Sequence, residues 1–158
     1  MNLFNRYLLA KPTIRMMVEW PIIIVIGIIG TICSSPRIPF YPISNIIGVF
    51  ILITGLVFHA QCHKVHQQAH QQSNKIDRLL TTGIYIHIRH PMYTSLILIY
   101  IGVTVAWGII WILVPVFVFS VLTILTALQE EKFLIRKLEN QYKDYIKKVP
   151  YRFIPKII

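Results

Sequence analysis

The sequence predicts an all-α integral membrane protein, a helical bundle of about four transmembrane helices. Of its 158 residues, 55% are hydrophobic and only 14% are charged, and the mean hydropathy is +0.61. A soluble domain needs a more polar exterior, so this composition indicates that lipid surrounds most of the chain. Three long apolar blocks, each sufficient for a helix that crosses hydrocarbon, lead to the same class.

Four spans are expected within these three blocks. A helix needs roughly 20 apolar residues to cross about 30 Å of hydrocarbon, and somewhat fewer where the bilayer thins. The third block, residues 92–128, contains no charged residue and would reach about 55 Å as one helix at roughly 1.5 Å per residue. We therefore expect a hairpin that turns near Trp107 and Gly108, with Trp107 and Trp111 at an interface. The expected spans are residues 18–33, 43–60, 92–107 and 109–128.

The first apolar block also has a rival interpretation as a cleaved signal peptide. Basic residues precede it, as they do in signal peptides: Arg6, Lys11 and Arg15. However, Glu19, Trp20 and Pro21 open the block, and no small-x-small cleavage site follows it. We therefore expect the block to be kept as the first transmembrane helix.

The formal charge of +10 is distributed unevenly and predicts the orientation of the helices. The loop between the first two spans has only Arg37, and the hairpin turn has no charged residue. By the positive-inside rule, both termini and the middle loop are cytosolic, and the basic excess attracts anionic lipid. A nucleic-acid-binding surface is not expected, because it would need a soluble basic face with stacking aromatic residues. The remaining basic residues are Arg6, Lys11 and Arg15 in the N-terminal arm, Lys64, Lys75, Arg78 and Arg89 in the middle loop, and Lys132, Arg136, Lys137, Lys143, Lys147, Lys148, Arg152 and Lys156 in the C-terminal segment.

The polar parts of the chain are expected to form one domain with the spans, over residues 1–158. The arm at residues 1–17 is basic and amphipathic, whereas the loop at residues 61–91 collects polar groups beside the membrane. After the hairpin, a charged helix opens at Gln129. Its apolar residues recur at the period of one helix face, so we expect this C-terminal amphipathic helix to pack against other cytosolic elements. These apolar residues are Leu134, Leu138, Tyr142 and Tyr145.

Arg89, His90 and Pro91 form the first cluster that could carry chemistry. Pro91 suits the first turn of a helix, where its missing N–H would be unpaired anyway. The N–H groups of that turn, the helix dipole and the two basic side chains could together bind a carboxylate or a phosphate. Alternatively, Arg89 and His90 hold the helix end to lipid headgroups, and the residues alone leave both interpretations open.

Glu130 and Glu131 form the second cluster, at the cytosolic end of the fourth span. Two adjacent carboxylates beside hydrocarbon are costly unless cations meet them. The structural interpretation pairs them with Lys132, Arg136 or first-loop cations, or leaves them at a solvated helix end. The functional interpretation is that one carboxylate binds an amino group, a ribose hydroxyl pair or a sulfonium. With an anion site opposite, this arrangement would suit a zwitterionic ligand.

Four histidines form a stripe along the end of the second span and the loop that follows: His59, His63, His66 and His70. At 100° per residue they fall within about 60° of one another on a helix, so each successive pair with i, i+4 spacing could chelate a transition metal. Against a metal, no carboxylate lies nearby in sequence to orient the rings, and several glutamines make the segment polar. We therefore expect a polar helix surface at headgroup level and no metal site.

These residues also carry a family resemblance. The sequence resembles the membrane methyltransferases that include isoprenylcysteine carboxyl methyltransferase and the phospholipid N-methyltransferases. The resemblance covers roughly residues 60–158, and it depends on the ordered combination of motifs rather than on any one of them. The matching residues are Asp77 to Tyr85 (DRLLTTGIY), Arg89 to Tyr93 (RHPMY), Glu130, Glu131, Tyr142, Tyr145 and Pro155.

The resemblance implies an enzyme that transfers a methyl group from S-adenosyl-L-methionine, with its cofactor pocket on the cytosolic side. The implied substrate is a membrane lipid or a lipidated molecule that enters sideways from the bilayer and attacks the sulfonium methyl in line. His90, Tyr93 and Glu130 are the catalytic candidates, since each could accept a proton from an amine. The implied cofactor contacts are His70, Asp77, Arg78, Leu79, Leu80, Tyr85, His90, Pro91, Met92, Tyr93 and Glu130.

The methyl acceptor stays open between two classes. The pattern is similar to that of isoprenylcysteine carboxyl methyltransferase, but Thr126 stands where those enzymes have an arginine that meets the substrate carboxylate. A phospholipid amine N-methyltransferase is therefore the alternative. Two rivals belong to other classes: a nicotinamide-dependent membrane reductase, whose relatives have more spans, and a metal-handling membrane protein that uses the histidine stripe. The oligomeric state is left open.

Overall fold

The computed structural model describes residues 7–8, 12–65, 79 and 81–156, and every regular element within them is helical. These residues contain four long helices: α1 (Pro12–Ile32), α2 (Ile43–Val65), α3 (Pro91–Trp107) and α4 (Leu113–Lys148). Short 3-10 turns at Gly83–Ile86 and Ile110–Ile112 precede α3 and α4. The all-α prediction is confirmed.

The bundle exposes an apolar surface that is typical of a membrane protein. Within the described residues, three helical stretches are long and apolar enough to cross a bilayer: Ile14–Ile32, Ile43–Val65 and Ile110–Lys148. The fourth helix, α3, is apolar but shorter, at 17 residues. Large apolar side chains point away from the bundle; Phe50 and Phe117, for example, are 74% and 71% exposed. A soluble protein rarely exposes so continuous an apolar surface, so lipid is its solvent.

The first helix begins earlier than the sequence predicted. The predicted span opened at Val18 and followed an arm of residues 1–17, whereas α1 opens at Pro12. Proline is well suited to the first position of a helix, because its missing N–H has no partner there anyway. The remainder of the predicted arm lies largely outside the described residues. As a result, Arg15 and Glu19 both belong to α1, one turn apart on its buried side.

The helices α2 and α3 pack closely against each other, and the hairpin turns where the sequence predicted. A Cβ atom on Gly48 would lie 2.1 Å from the backbone nitrogen of Ala106, so only glycine permits this contact between helices. At the end of α3, Trp107 is the last helical residue, and Gly108 stops the helix in the left-handed conformation with a φ of 77°. The predicted turn near Trp107 and Gly108 is thereby confirmed.

The fourth helix continues well beyond the membrane. The sequence predicted a span to residue 128 and then a separate charged helix, whereas α4 continues past residue 128 without a break and is kinked only at Glu139. From Leu113 to Leu138 the helix rises roughly 38 Å at 1.5 Å per residue, more than the roughly 30 Å of the hydrocarbon. About 20 residues from Ile110 onward are enough to cross, so the part from Gln129 onward lies outside the hydrocarbon. Non-helical backbone angles at Glu139 (φ 41°, ψ −112°) interrupt this outer part.

The outer part of α4 packs by the apolar face that its periodicity predicted. Leu134, Tyr142, Tyr145 and Val149 form a buried cluster, with Leu79 of the middle loop and Leu138 against it. The prediction of an amphipathic C-terminal helix is therefore confirmed in its packing, although that helix is an extension of the membrane span.

A buried ion pair joins α1 to the other helices. Arg15 donates to the Glu19 carboxylate at 3.0 Å. The same guanidinium donates to the hydroxyls of Thr126 and Thr123 on α4, at 2.8 and 3.1 Å. From α3, the Tyr100 hydroxyl donates to the second oxygen of the Glu19 carboxylate. Because charges beside hydrocarbon are costly unless they are paired, this network sets the rotation of α1 against α3 and α4.

We predict that Glu19→Leu destabilises the protein strongly. The substitution leaves the Arg15 guanidinium, which is 6% exposed, without its counter-charge, and breaking a buried pair in this way costs roughly 3–5 kcal/mol. Thermal unfolding in detergent measures the effect. The matched control is Arg15→Leu/Glu19→Leu, which removes both charges and should regain much of the lost stability. Equal stability of the single variant and the wild type would contradict the prediction.

Candidate functional site

A cluster of basic side chains surrounds Glu131 at the end of the bundle where α3 begins. Arg89 Nε and His90 Nε2 lie 2.8 and 3.1 Å from one Glu131 oxygen. Arg152 Nε, from the segment after α4, lies 3.0 Å from the other oxygen. The Glu131 side chain is buried, so three basic groups compensate for its lost hydration. Of the partners that the sequence suggested, Lys132 and Arg136 are not the ones that bind Glu131; its partners come from the segments before α3 and after α4.

The Arg89 guanidinium also holds the C-terminal segment in place. It donates to the carbonyl oxygens of Val149 and Pro150 at 2.8 and 2.7 Å. The backbone continues the same connection, because the N–H of Arg89 donates to Tyr151 O and that of His90 to Arg152 O, both at 2.9 Å. The residues before α3 and those after α4 are therefore locked to each other.

This arrangement corrects both sequence interpretations of Arg89 and His90. The two side chains neither flank an open anion site nor reach out to lipid headgroups, since both are buried and bound to Glu131. Pro91 does begin α3, as the sequence predicted. The basic pair before it serves to assemble the site.

The neighbouring carboxylate, Glu130, has a different environment. Its Oε2 accepts a hydrogen bond from the Tyr93 hydroxyl at 2.7 Å. The ring centroids of Tyr93 and Phe153 each lie 5.7 Å from the ring centroid of His90. Glu130 is thus half-buried, bonded to Tyr93, and separate from the basic groups that bind Glu131.

The two glutamates differ in how readily they ionise. Burial raises the pKa of Glu130, and the lowering effects of the His90 charge and the Tyr93 hydrogen bond do not offset it. Burial acts on Glu131 in the same direction, but hydrogen bonds from His90 and Arg89 outweigh it and lower the pKa to about 2. Adjacent carboxylates with separated pKa values can take separate roles. Glu131 is held as an anion within the basic cluster, whereas burial favours the neutral form of Glu130.

An apolar cavity of about 720 Å³ adjoins the site. Its walls come from α2, α3, α4, the turn before α3 and the C-terminal segment, and include Phe58, Ile97, Ile101, Ile124 and Phe153. From Pro91 to Ile101, α3 rises roughly 15 Å at 1.5 Å per residue, so the cavity extends well into the membrane. Phe153 lines the cavity and its ring also packs against that of His90, so the cavity lies next to the polar cluster.

The structure brings the catalytic candidates together. His90, Tyr93 and Glu130 meet at the start of α3, and Pro91 and Met92 occupy the same helical turn. Tyr85 is buried one segment earlier, where its carbonyl accepts a hydrogen bond from Tyr145 at 2.6 Å. Leu79 packs on the apolar cluster of the outer α4. Four further predicted cofactor contacts lie outside the described residues and stay predictions: His70, Asp77, Arg78 and Leu80.

Two residues of the site were missed by the sequence analysis. Arg152 and Phe153 lie in a segment between prolines that has no helical or strand periodicity, so no pattern indicated where it folds. The one available signal was its position close behind a helix that carries two carboxylates. Arg152 can be recognised as a counter-charge of Glu131 only when the fold shows that the chain turns back after α4.

We predict that Glu131→Gln destabilises the protein by roughly 3–5 kcal/mol, because it leaves buried Arg89 without its anion. Glu130→Gln is the matched control on the next residue, and it should change stability much less, since a neutral amide can still accept the Tyr93 hydrogen bond. Thermal unfolding in detergent compares the two. Equal losses for both variants would contradict the assignment of separate roles.

The low pKa of Glu131 predicts that the stability of the protein depends on pH. The pKa of Glu131 lies well below its ordinary value of 4.5, so its contribution to stability is present above about pH 4.5 and is lost as the pH falls toward 2. The wild type should therefore lose more stability over this interval than Glu131→Gln does.

The comparisons with known proteins concern the same part of the chain. A family model described as phospholipid methyltransferase matches residues 43–141, which include α2, α3 and the part of α4 that carries Glu130 and Glu131. A search of curated proteins found no match to the chain. The family resemblance that the motifs indicated is confirmed. Because the matched region is well over half of the chain, the protein belongs to the phospholipid methyltransferase family of membrane methyltransferases.

Proposed function

We propose that the protein uses S-adenosyl-L-methionine to methylate a lipid substrate at the cytosolic face of its membrane. Membership of the family supports methyl transfer. The observation that carries the finer proposal is the Glu130 carboxylate, which lies beside Tyr93 where α3 begins and where α4 leaves the hydrocarbon. The Lys and Arg residues near this end of the bundle support a cytosolic orientation by the positive-inside rule.

The side chains of the site fit a cofactor that carries positive charge. A half-buried carboxylate attracts a sulfonium or an ammonium, and the faces of Tyr93 and Phe153 favour cations as well. Glu130, Tyr93 and His90 would hold the cofactor together with Pro91, Met92 and Tyr85. The contacts implied at His70, Asp77, Arg78, Leu79 and Leu80 belong to the same proposal. When bound, the cofactor supplies an electrophilic methyl group.

The charges around the site favour an amine over a carboxylate as the methyl acceptor. Arg89 and Arg152 are both bound to Glu131. Arg15 lies near the site, since it donates to Thr126 one turn before Glu130, but its charge is paired with Glu19. A substrate carboxylate would enter next to Glu130 and meet a like charge. A lipid amine would meet an opposite one. This supports the phospholipid amine alternative rather than the isoprenylcysteine type.

The contribution of the chain is then positioning and proton transfer. An ammonium group has no lone pair, so its proton must leave before the nitrogen can form a bond to carbon. Glu130 takes this proton, and its raised pKa makes it a stronger base than an ordinary carboxylate. Tyr93 orients the carboxylate through its hydrogen bond, and Phe153 limits the access of water.

The apolar cavity suits the hydrocarbon chain of such a lipid. It is lined almost wholly by apolar side chains and lies beside Phe153, at the edge of the polar site. A lipid whose chain fills it would have its headgroup at the level of Glu130 and Tyr93. The cavity therefore supports a substrate that approaches from the bilayer.

We predict that the purified protein binds S-adenosylmethionine and S-adenosylhomocysteine, and that Glu130→Gln weakens the binding of S-adenosylmethionine. Loss of a charged partner costs roughly 1.5–3 kcal/mol, which corresponds to about 10-fold to 100-fold in affinity. Calorimetry in detergent measures both affinities. Asp144→Asn is the matched control, an exposed carboxylate on the same helix, and it should bind as the wild type does. A wild type that binds neither ligand would remove the proposal.

We predict that label from S-adenosylmethionine is transferred to a phospholipid amine and not to the carboxylate of a prenylated cysteine. Ile101→Trp narrows the cavity and should raise KM for the lipid while the affinity for S-adenosylmethionine is unchanged. Val114→Trp is its control, because Val114 is exposed to lipid on α4 and does not line the cavity. Label on the prenylcysteine would reverse the choice of acceptor, and an unchanged KM in Ile101→Trp would exclude the cavity as the lipid site.

A further inference from the structure

Two histidines of the stripe meet at the end of α2, away from the Glu131 cluster. His59 and His63 are one helical turn apart, and their Nε2 atoms lie 3.0 Å from each other. The rings stand nearly edge to face, with 4.7 Å between their centroids. Two ring nitrogens of one helix are therefore aimed at the same point.

A third residue fixes the state of the first ring. Nδ1 of His59 lies 2.8 Å from the hydroxyl oxygen of Ser95, on α3. That hydroxyl donates its own proton to the carbonyl of Met92 at 2.7 Å, so it accepts from His59. The proton of a neutral His59 ring therefore sits on Nδ1, and Nε2 carries the lone pair. Ser95 is fully buried, which holds this arrangement firmly.

We propose that His59 and His63 chelate a divalent transition-metal ion such as Zn²⁺, Ni²⁺ or Cu²⁺. Imidazole nitrogens suit these ions, and two nitrogens at roughly 2.0–2.1 Å from a tetrahedral ion are about 3.3 Å apart, close to the distance observed here. In the free protein the two Nε2 atoms share one proton of His63. When the ion binds, that proton moves to Nδ1 of His63, and both Nε2 lone pairs become ligands.

The hydrogen bond to Ser95 is the reason to favour a metal over a merely polar surface. A histidine that binds a metal almost always donates its other ring N–H to an oxygen, which orients the ring. The sequence offered no such partner near the stripe, and the structure supplies one from α3. Among the described residues no third His, Cys, Asp or Glu joins the pair. Water or an oxygen ligand from outside completes the coordination.

The test measures binding of Zn²⁺, Ni²⁺ and Cu²⁺ to the full chain in detergent by calorimetry, with a purification tag that contains no histidine. We expect the wild type to bind one ion with a dissociation constant in the micromolar range. His59→Asn and His63→Asn should abolish this binding. Ser95→Ala keeps both ligands but loses the orienting hydrogen bond, and should weaken binding about 10-fold to 100-fold.

The control variant is His87→Ala, which removes an exposed histidine outside the pair and should bind the ion as the wild type does. Electron paramagnetic resonance of the Cu²⁺ complex should show two imidazole nitrogens in the wild type, a readout that needs no variant to fold. Binding retained in both Asn variants would assign the ion to other histidines and overturn the proposal. Affinity too weak to measure in the wild type would overturn it as well.

Discussion

The ion cluster around Glu131 is the interaction on which the site depends. Three separate parts of the chain meet there: Arg89 and His90 before α3, Glu131 on α4, and Arg152 after α4. Arg89 and Glu131, whose side chains are buried, could not remain charged there alone, because each would lose its hydration without compensation. The start of α3 therefore has its place only when α4 has docked and the C-terminal segment has turned back. In this sense the site is a consequence of tertiary assembly.

The contrast between Glu130 and Glu131 follows from helix geometry. Successive residues on a helix point about 100° apart, so one carboxylate faces the basic cluster and the other faces Tyr93. At a membrane boundary the surroundings of the two carboxylates differ strongly, because little water is present to solvate both of them equally. The ion cluster binds Glu131, whereas Glu130 takes no part in it and has the Tyr93 hydroxyl as a hydrogen-bond partner.

The sequence predicted the helical class and the hairpin turn, because each follows from local signals. Apolar length, Gly108 at a helix end and Pro91 at a helix start act within a few residues. The pairing of Glu131 with Arg152 was beyond such signals, since Arg152 reaches it only after α4 ends. The early start of α1 was missed for a related reason. Arg15 looked like part of a solvated basic arm, but it is buried because Glu19 of the same helix and two threonines of α4 bind its guanidinium.

The membrane network and the site are connected through one face of α4. Thr123, Thr126 and Glu130 are spaced three and four residues apart, so they lie within about 60° of one another along the helix. Arg15 binds the two threonines, and its bond to Glu19 brings α3 into the same contact through Tyr100. This fixes the rotation of α4 relative to α3 one turn before Glu130. The distance from Glu130 to Tyr93 is thus set from both sides, by the ion pair within the membrane and by the Glu131 cluster outside it. Thr126 carries no charge itself, but its hydroxyl accepts a hydrogen bond from the Arg15 guanidinium of α1.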